Sequence, residues 1–459
     1  MSVDDGEARE AVGVTTSICD DLLNAGLDGE TVTAGRHDYD QLRRVWNGLA
    51  DRRPAAIVRA RNRNDVVKTL RVAANHEALL AIRCGGHSLP GLSTCDGGII
   101  LDMSAFNGVT VDADARIVEV GGGALLGDLD RAGAPHGLVT PAGVVSHTGA
   151  AGLTLGGGMG FLSRRLGLTI DNLLGAELVT ADGRIVSTDA ETEPELFWGI
   201  RGGGGNFGVV TKFRFRMHQL GSVLVGRWTY PRAACAAVLR NYYSLATSAP
   251  RQLTTCFTLT ASTLSVTAVW SGSPSGAEQA VAPFGALGPA ESAMLGGQTF
   301  LELQSRSDDH FCWGRRIYAK GGFFAAIDDA VIACLEESIA ESPTPDSELY
   351  ILQLGGAIAD VSEEATAYSG RAAGFYWIVE PVWDDVADDA RCMAWGRAVG
   401  KRMAAMSQGG NYVNEQADMG NDIARSAYGA EKYARLARLK VRFDPTNLFR
   451  LNQNIEPKP

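Results

Sequence analysis

Hydrophobic and polar positions alternate along this chain in a way that predicts a run of short strands broken by helices. Ala55 to Ala60 predicts a strand. Val66, Val67, Leu70, Ala73 and Ala74 then keep helical spacing behind Asn64 or Asp65, the expected cap. Leu79 to Arg83 predicts a returning strand that runs straight into a glycine-rich loop. Further strands are expected at Gly98–Met103, Arg116–Gly121 and Phe207–Met217. A hairpin is expected across Ala176–Thr188, with Ala181-Asp182-Gly183 at its turn. Past residue 218 the texture changes. Strands such as Ser222–Tyr230 and Leu349–Leu354 alternate with helical stretches at 232–247, 324–341 and 384–406. Ala430 to Val441 reads as a helix that Asp444-Pro445 ends. The pattern predicts an α+β protein of two domains with a boundary near residue 218.

Composition adds one strong signal. Glycine supplies 55 of 459 residues, well above the ~7% of average usage. The glycines bunch at 85–98, 121–123, 152–160 and 202–208. A missing Cβ lets backbone approach something closely, and several such loops together point to a large anionic ligand. Gly203 to Gly208 satisfies G-x-G-x-x-G, but a helical stretch precedes it and a strand follows. That is the reverse of a Rossmann fingerprint. No P-loop and no G-x-S-x-G elbow is present.

Charge and histidine spacing narrow the field. A net charge of −11 with no basic run disfavours nucleic acid. The acidic segment Met1–Glu10 lacks signal-peptide features, and no apolar window is long enough to span a membrane. Eight scattered cysteines without a CxxC pair read as free thiols. The expectation is a cytoplasmic protein. Seven histidines offer no HxxxH or HxH spacing, so no metal site is expected. His87, set between Gly86 and Ser88 after a strand, is the sharpest single residue. A surface histidine bonded to backbone is its bland alternative.

Four segments carry a resemblance: Arg83-Cys-Gly-Gly-His-Ser88, Gly152 to Asn172, Leu196 to Gly208 and Asp444 to Ile455. In this order the chain resembles the berberine bridge enzyme-like flavoproteins, within the vanillyl-alcohol-oxidase (PCMH-type) FAD-linked oxidoreductases. The resemblance implies an FAD-binding domain at 1–218, a substrate domain with an antiparallel sheet under helices at 219–420, and a returning segment at 421–459. It implies FAD held covalently through His87. Arg83, Cys84, Gly85, Gly86, Ser88, Thr148, Gly149, Ala150, Gly152, Leu153, Gly157, Gly158, Gly160, Phe161, Asn206, Gly208, Val209, Asn452 and Asn454 would surround it. A small-molecule substrate and dioxygen are the implied partners, with a monomer or homodimer as the assembly.

The chain also departs from the family pattern. Bicovalent members carry a cysteine where Val145, Ser146 and His147 stand, so a single link is expected. The position that gates oxygen is matched by Ala150, whose small side chain favours an oxidase. The family's Tyr-x-Asn-Tyr reads Tyr412-Val-Asn-Glu415, which makes Glu415 the replacement base beside Tyr412 and Asn414. Glu415 pointing to solvent, or pairing with an arginine, is the other reading. A second family tyrosine is replaced by Val379. On the strand from Phe375 to Trp383, period-2 alternation groups Trp377, Val379 and Pro381, and the family's register turns this set toward the flavin. Tyr376, Ile378 and Glu380 would face away. The substrate expected from Trp377 and its neighbours is hydrophobic or aromatic, as in members that tailor secondary metabolites. An oxidase releasing hydrogen peroxide, a flavin-dependent oxygenase or cyclase, and a flavin-binding protein without turnover are the three outcomes this pattern allows.

Overall fold

The computed structural model describes residues 17–458, and the acidic segment Met1–Glu10 lies outside them. The first sheet has four strands. Ile99–Asp102 pairs in parallel with Ala56–Arg59 and Leu80–Arg83, and Glu30–Thr33 adds an antiparallel edge. Ala56, Ile57, Val58, Ile99, Ile100 and Leu101 are fully buried, as parallel strands covered on both faces require. The helix Arg63–Asn75 makes the crossover. Its cap is Asn62, whose side chain accepts the Asp65 amide at 3.0 Å. Asp65, one of the two expected caps, is instead buried and accepts the amides of Asp28 and Arg61.

An antiparallel sheet of five strands follows, ordered Val109–Asp112, Ile117–Gly121, Val209–Arg216, Leu173–Val179 and Ile185–Asp189. The last two form the expected hairpin. Phe213 and Phe215, inward on the alternating central strand, stack at 5.6 Å in its core.

The largest sheet has seven antiparallel strands. Their spatial order is Ser292–Gln298, Val223–Pro231, Thr263–Trp270, Leu253–Leu259, Glu348–Gln353, Phe375–Glu380 and Lys320–Phe324. One face packs under the helices Cys235–Thr247, Asp329–Ala340 and Asp389–Ala404. The helix expected at 324–341 proves to be the end of a strand and a shorter helix, separated by Asp328, whose carboxylate caps the Val331 amide. The other face turns toward the glycine-rich half of the chain, where Phe161, Leu168 and Ile170 pack with Cys256, Leu352 and Ile378.

Buried charges clamp these layers together. Arg371 bonds Asp171 at 2.8 Å. Arg164 reaches the carbonyls of Leu253, Ala249 and Leu354. The helix Asn421–Phe443 breaks at Gly429, which sits at φ 69°. Its end is fixed by Lys440 and Asp444, an ion pair 2.7 Å long with neither side chain exposed. Lys440 also donates to the carbonyls of Asn206 and Phe449, and Asp444 accepts the amides of Leu448 and Phe449. The returning segment is thereby stitched to the Gly203–Gly208 loop. Among the described residues no helix is long and apolar enough to cross a membrane.

Removing one partner of such a pair leaves a buried charge uncompensated. Asp444→Ala is expected to destabilise the fold by about 3–5 kcal/mol, read as a lower denaturant midpoint in chemical unfolding.

Candidate functional site

The site begins where the strand Leu80–Arg83 ends. Arg83 pairs with Asp102 at 2.8 Å in the interior, which fixes the start of the loop. Gly85 then lies against Gly149 so closely that a Cβ on either would collide with the other's amide nitrogen. Two loops sixty residues apart in sequence are joined backbone to backbone, which brings His87 onto His147. The His87 Nε2 and His147 Nδ1 share a hydrogen bond of 2.6 Å. Trp46 stacks on the His87 ring at 4.5 Å. Burial, with His147 adding to it, pushes His87 down to about 3, so its imidazole is neutral. No HxH spacing announces this pair, because it is a tertiary contact.

A cavity of about 680 Å³ opens between these loops and the seven-stranded sheet. Cys84, Gly85, Gly86, His87, Ser88, Thr148, Gly149, Gly152, Leu153, Phe161, Gly208, Val209 and Asn452 border it, as do Tyr412, Asn414 and Glu415. Seven expected cofactor contacts do not. Arg83 is spent on Asp102. Ala150, at the start of the helix Ala150–Gly156, packs in the protein core and does not itself line the cavity. Side chains at Gly157, Gly158 and Gly160 would meet Tyr368, Thr169 and the Ala142 carbonyl; these glycines let protein pack on protein. Asn206 bonds Gly203, Gln453 and Ile455. Asn454 is half-buried, with its side-chain oxygen buried and without a partner, but it does not border the cavity.

Glu415 ends a 3-10 turn, Val413–Glu415, braced against the second glycine loop. The Tyr412 hydroxyl accepts the Gly158 amide at 3.0 Å and the Asn414 amide group at 2.8 Å. Asn414 also donates to the Leu153 carbonyl at 2.9 Å. The Glu415 carboxylate accepts the hydroxyl of Tyr376. Burial raises its pKa to about 7, with the Tyr376 bond pulling the other way.

The strand Phe375–Glu380 is turned opposite to expectation. Tyr376, Ile378 and Glu380 face Glu415 and the cavity. Trp377 and Val379 pack under the helices, where Trp377 stacks on Phe324 and donates to Ser407. The sheet face that borders the cavity is accordingly polar, bearing Thr258, Thr267, Arg227, Glu348, Tyr350 and Glu380, with Arg306 and His310 beside it. The expectation of an apolar, Trp377-lined floor fails with that orientation.

The donor set fits FAD. Glycine backbone lines one wall, and Gly152 and Gly205 leave open space where a Cβ would stand. The buried oxygens Asn452 Oδ1 and Gln453 Oε1 border the cavity without a protein partner, and a neutral imidazole stands at its edge.

Comparison with known proteins agrees. Residues 54–189 match the FAD binding domain family model, and residues 411–456 match the berberine and berberine-like model. An FAD-linked oxidoreductase of Dictyostelium discoideum is 30% identical over 436 residues, spanning 94% of this chain and 95% of that protein. The crystal structure of 6-hydroxy-D-nicotine oxidase from Arthrobacter nicotinovorans superposes with a TM-score of 0.87 at 26% identity, covering 95% and 99% of the two chains. Glucooligosaccharide oxidase from Acremonium strictum, described as holding a 6-S-cysteinyl, 8α-N1-histidyl FAD, shares the fold with a TM-score of 0.84 at 22% identity over 96% and 99%. With its glycine loops, returning C-terminal segment and relatives all in agreement, the chain belongs to the berberine bridge enzyme-like family of FAD-linked oxidoreductases, and FAD is its cofactor.

Proposed function

We propose that this protein is an oxidase that removes a hydride from a carbon next to oxygen or nitrogen, with Glu415 as the base. The observation that carries the reading is a buried carboxylate with a pKa of about 7, aimed into the cavity between the glycine loops and the sheet. Bound FAD supplies the two-electron acceptor of the reaction and the route by which those electrons reach dioxygen. Glu415 takes the proton from the substrate's O–H or N–H as the adjacent C–H bond loses its hydride. Dioxygen, with two electrons and two protons, leaves as hydrogen peroxide. A base poised near neutrality is ionised often enough to act and basic enough to accept a proton. Tyr376 holds the carboxylate in place, while Tyr412 and Asn414 fix its turn against the FAD loop.

His87 is assigned to hold FAD covalently at the 8α-methyl carbon. Its imidazole is neutral and therefore nucleophilic. With Nε2 engaged by His147, Nδ1 is left with only Thr148 Oγ1 at 3.5 Å, the outer limit of a hydrogen bond. His147 thus acts as a positioning residue. No second link is assigned. Val145 stands where bicovalent members have cysteine, and burial raises the nearby Cys84 thiol to about 11, which keeps it protonated.

Flavin attachment, the kinetics of flavin bleaching and its pH dependence test this reading. Acid-precipitated wild-type protein is expected to give a yellow, fluorescent pellet, and His87→Ala to release its flavin into the supernatant; a colourless wild-type pellet would refute the covalent link. Glu415→Gln is expected to slow bleaching of the flavin by an oxidisable donor by about 10²–10⁴-fold with flavin content unchanged, and turnover should yield one peroxide per product. Incorporation of oxygen from O₂ into the product would instead identify an oxygenase. Bleaching rates should climb as pH rises through about 7, where Glu415 ionises. Tyr376→Phe removes a donor that favours the carboxylate, so the rise should move to higher pH.

A further inference from the structure

Glu348 and Glu380 stand directly opposite each other in the antiparallel strands Glu348–Gln353 and Phe375–Glu380. Side chains so placed have Cβ atoms about 4.5–5.5 Å apart, and like charges there work against the sheet. Both border the cavity. Glu380 is only 7% exposed, and the Glu348 side chain only 12%. Among the described residues neither carboxyl accepts a hydrogen bond. His310 Nε2 is 3.8 Å from Glu348, beyond bonding distance, and is itself without a partner. Three other buried acids are paired, Asp171 with Arg371, Asp102 with Arg83 and Asp444 with Lys440; Asp130, away from the cavity, also lacks a partner, but it stands alone, whereas Glu348 and Glu380 face each other across the cavity sheet. Here two facing carboxyls are left without a hydrogen-bond donor.

A metal ion does not fit, because no cluster of three His, Cys, Asp or Glu among the described residues is placed to hold one. An ammonium group does fit, with three N–H donors and a positive charge for two facing carboxyls. We propose that Glu348 and Glu380 form a subsite for a protonated amine on the substrate. This rests on the reading of the cavity as the substrate site and deepens it. Glu380 shares a strand face with Tyr376, the donor to Glu415, and Glu415 lies near enough to add to the rise in the Glu380 pKa. The amine is held by Glu348 and Glu380, and Glu415 is left free to act on a different group of the substrate.

The groups facing the pair fix its pH behaviour. Glu348 feels burial first, then Arg227, which favours its charge, and Asp346, which opposes it; its pKa is raised to about 7. Glu380 is raised by burial, by Glu348 and by Glu415. His310 is held below its ordinary value, mainly by burial, and Arg227 is exposed, where solvent screens it. The empty pair thus keeps a proton near neutrality, and an entering ammonium displaces it.

The test titrates FAD-loaded protein with 4-(aminoalkyl)phenols of two to four methylenes and with alkylphenols in which methyl replaces the ammonium. Binding is read from the flavin spectrum, and proton release from calorimetry in buffers of different ionisation enthalpy. The amines are expected to bind at least about tenfold tighter than their neutral counterparts, with proton release near pH 7. Glu348→Gln/Glu380→Gln should erase that preference while flavin content and neutral-ligand affinity hold. Equal binding of both series to wild type overturns the subsite, as does a preference that survives in the double variant. If the double variant fails to fold, the same loss is required of Glu348→Gln alone. Failure of the base assignment is separate: Glu415→Gln would bleach normally while the amine preference persisted.

Discussion

The contact of Gly85 with Gly149 is the constraint on which the site depends. Backbone meets backbone with no room for a side chain on either residue. One loop leaves a parallel strand of the first sheet, and the other opens the short helix Ala150–Gly156. Fusing them sets the width of the wall on which His87, His147 and the bordering glycines sit. Close-packed backbone has few ways to yield. The candidate base is brought to that wall by the Tyr412–Glu415 turn, which is pinned to it through the Gly158 amide and the Leu153 carbonyl.

Charge is handled in two ways in this molecule. Acids that hold the layers together are buried in ion pairs or under several backbone amides, which recovers part of what desolvation costs. The three glutamates that border the cavity lack cationic partners within bonding distance, and burial pushes all three up toward or past neutrality. Glu415 alone receives a donor, from Tyr376. One carboxyl is thereby tuned to a definite orientation, while the other two are left to respond to what enters.

Much of this was legible in the sequence, and the gaps have physical causes. The glycine loops, the hairpin turn, His87 and the Tyr-Val-Asn-Glu segment announce themselves by local chemistry. Which face of Phe375–Glu380 meets the cavity did not. Period-2 alternation says which residues share a face, but all six here are buried. With apolar Trp377 and Val379 on one side and Tyr376, Ile378 and Glu380 on the other, the decision falls to tertiary packing against the helices. The His87–His147 pair is equally silent, since loop docking makes it. Ala150 was misplaced because it begins a helix, and the turn of that helix carries its methyl inward. Asn62 was passed over as a cap because Asp65, a better-looking candidate, is recruited by Asp28 and Arg61.

The stitching at Lys440 and Asp444 bears on where along the chain the pocket is completed. Asn452 and Gln453 form part of the cavity wall, and they are held there by a segment anchored to Asn206, some 250 residues earlier. Every strand lies before residue 384, whereas Asn452 and Gln453 come at the end of the described residues. The sheets are therefore complete in sequence well before the last part of the cavity wall, and that wall depends on a long-range contact between two distant stretches of chain.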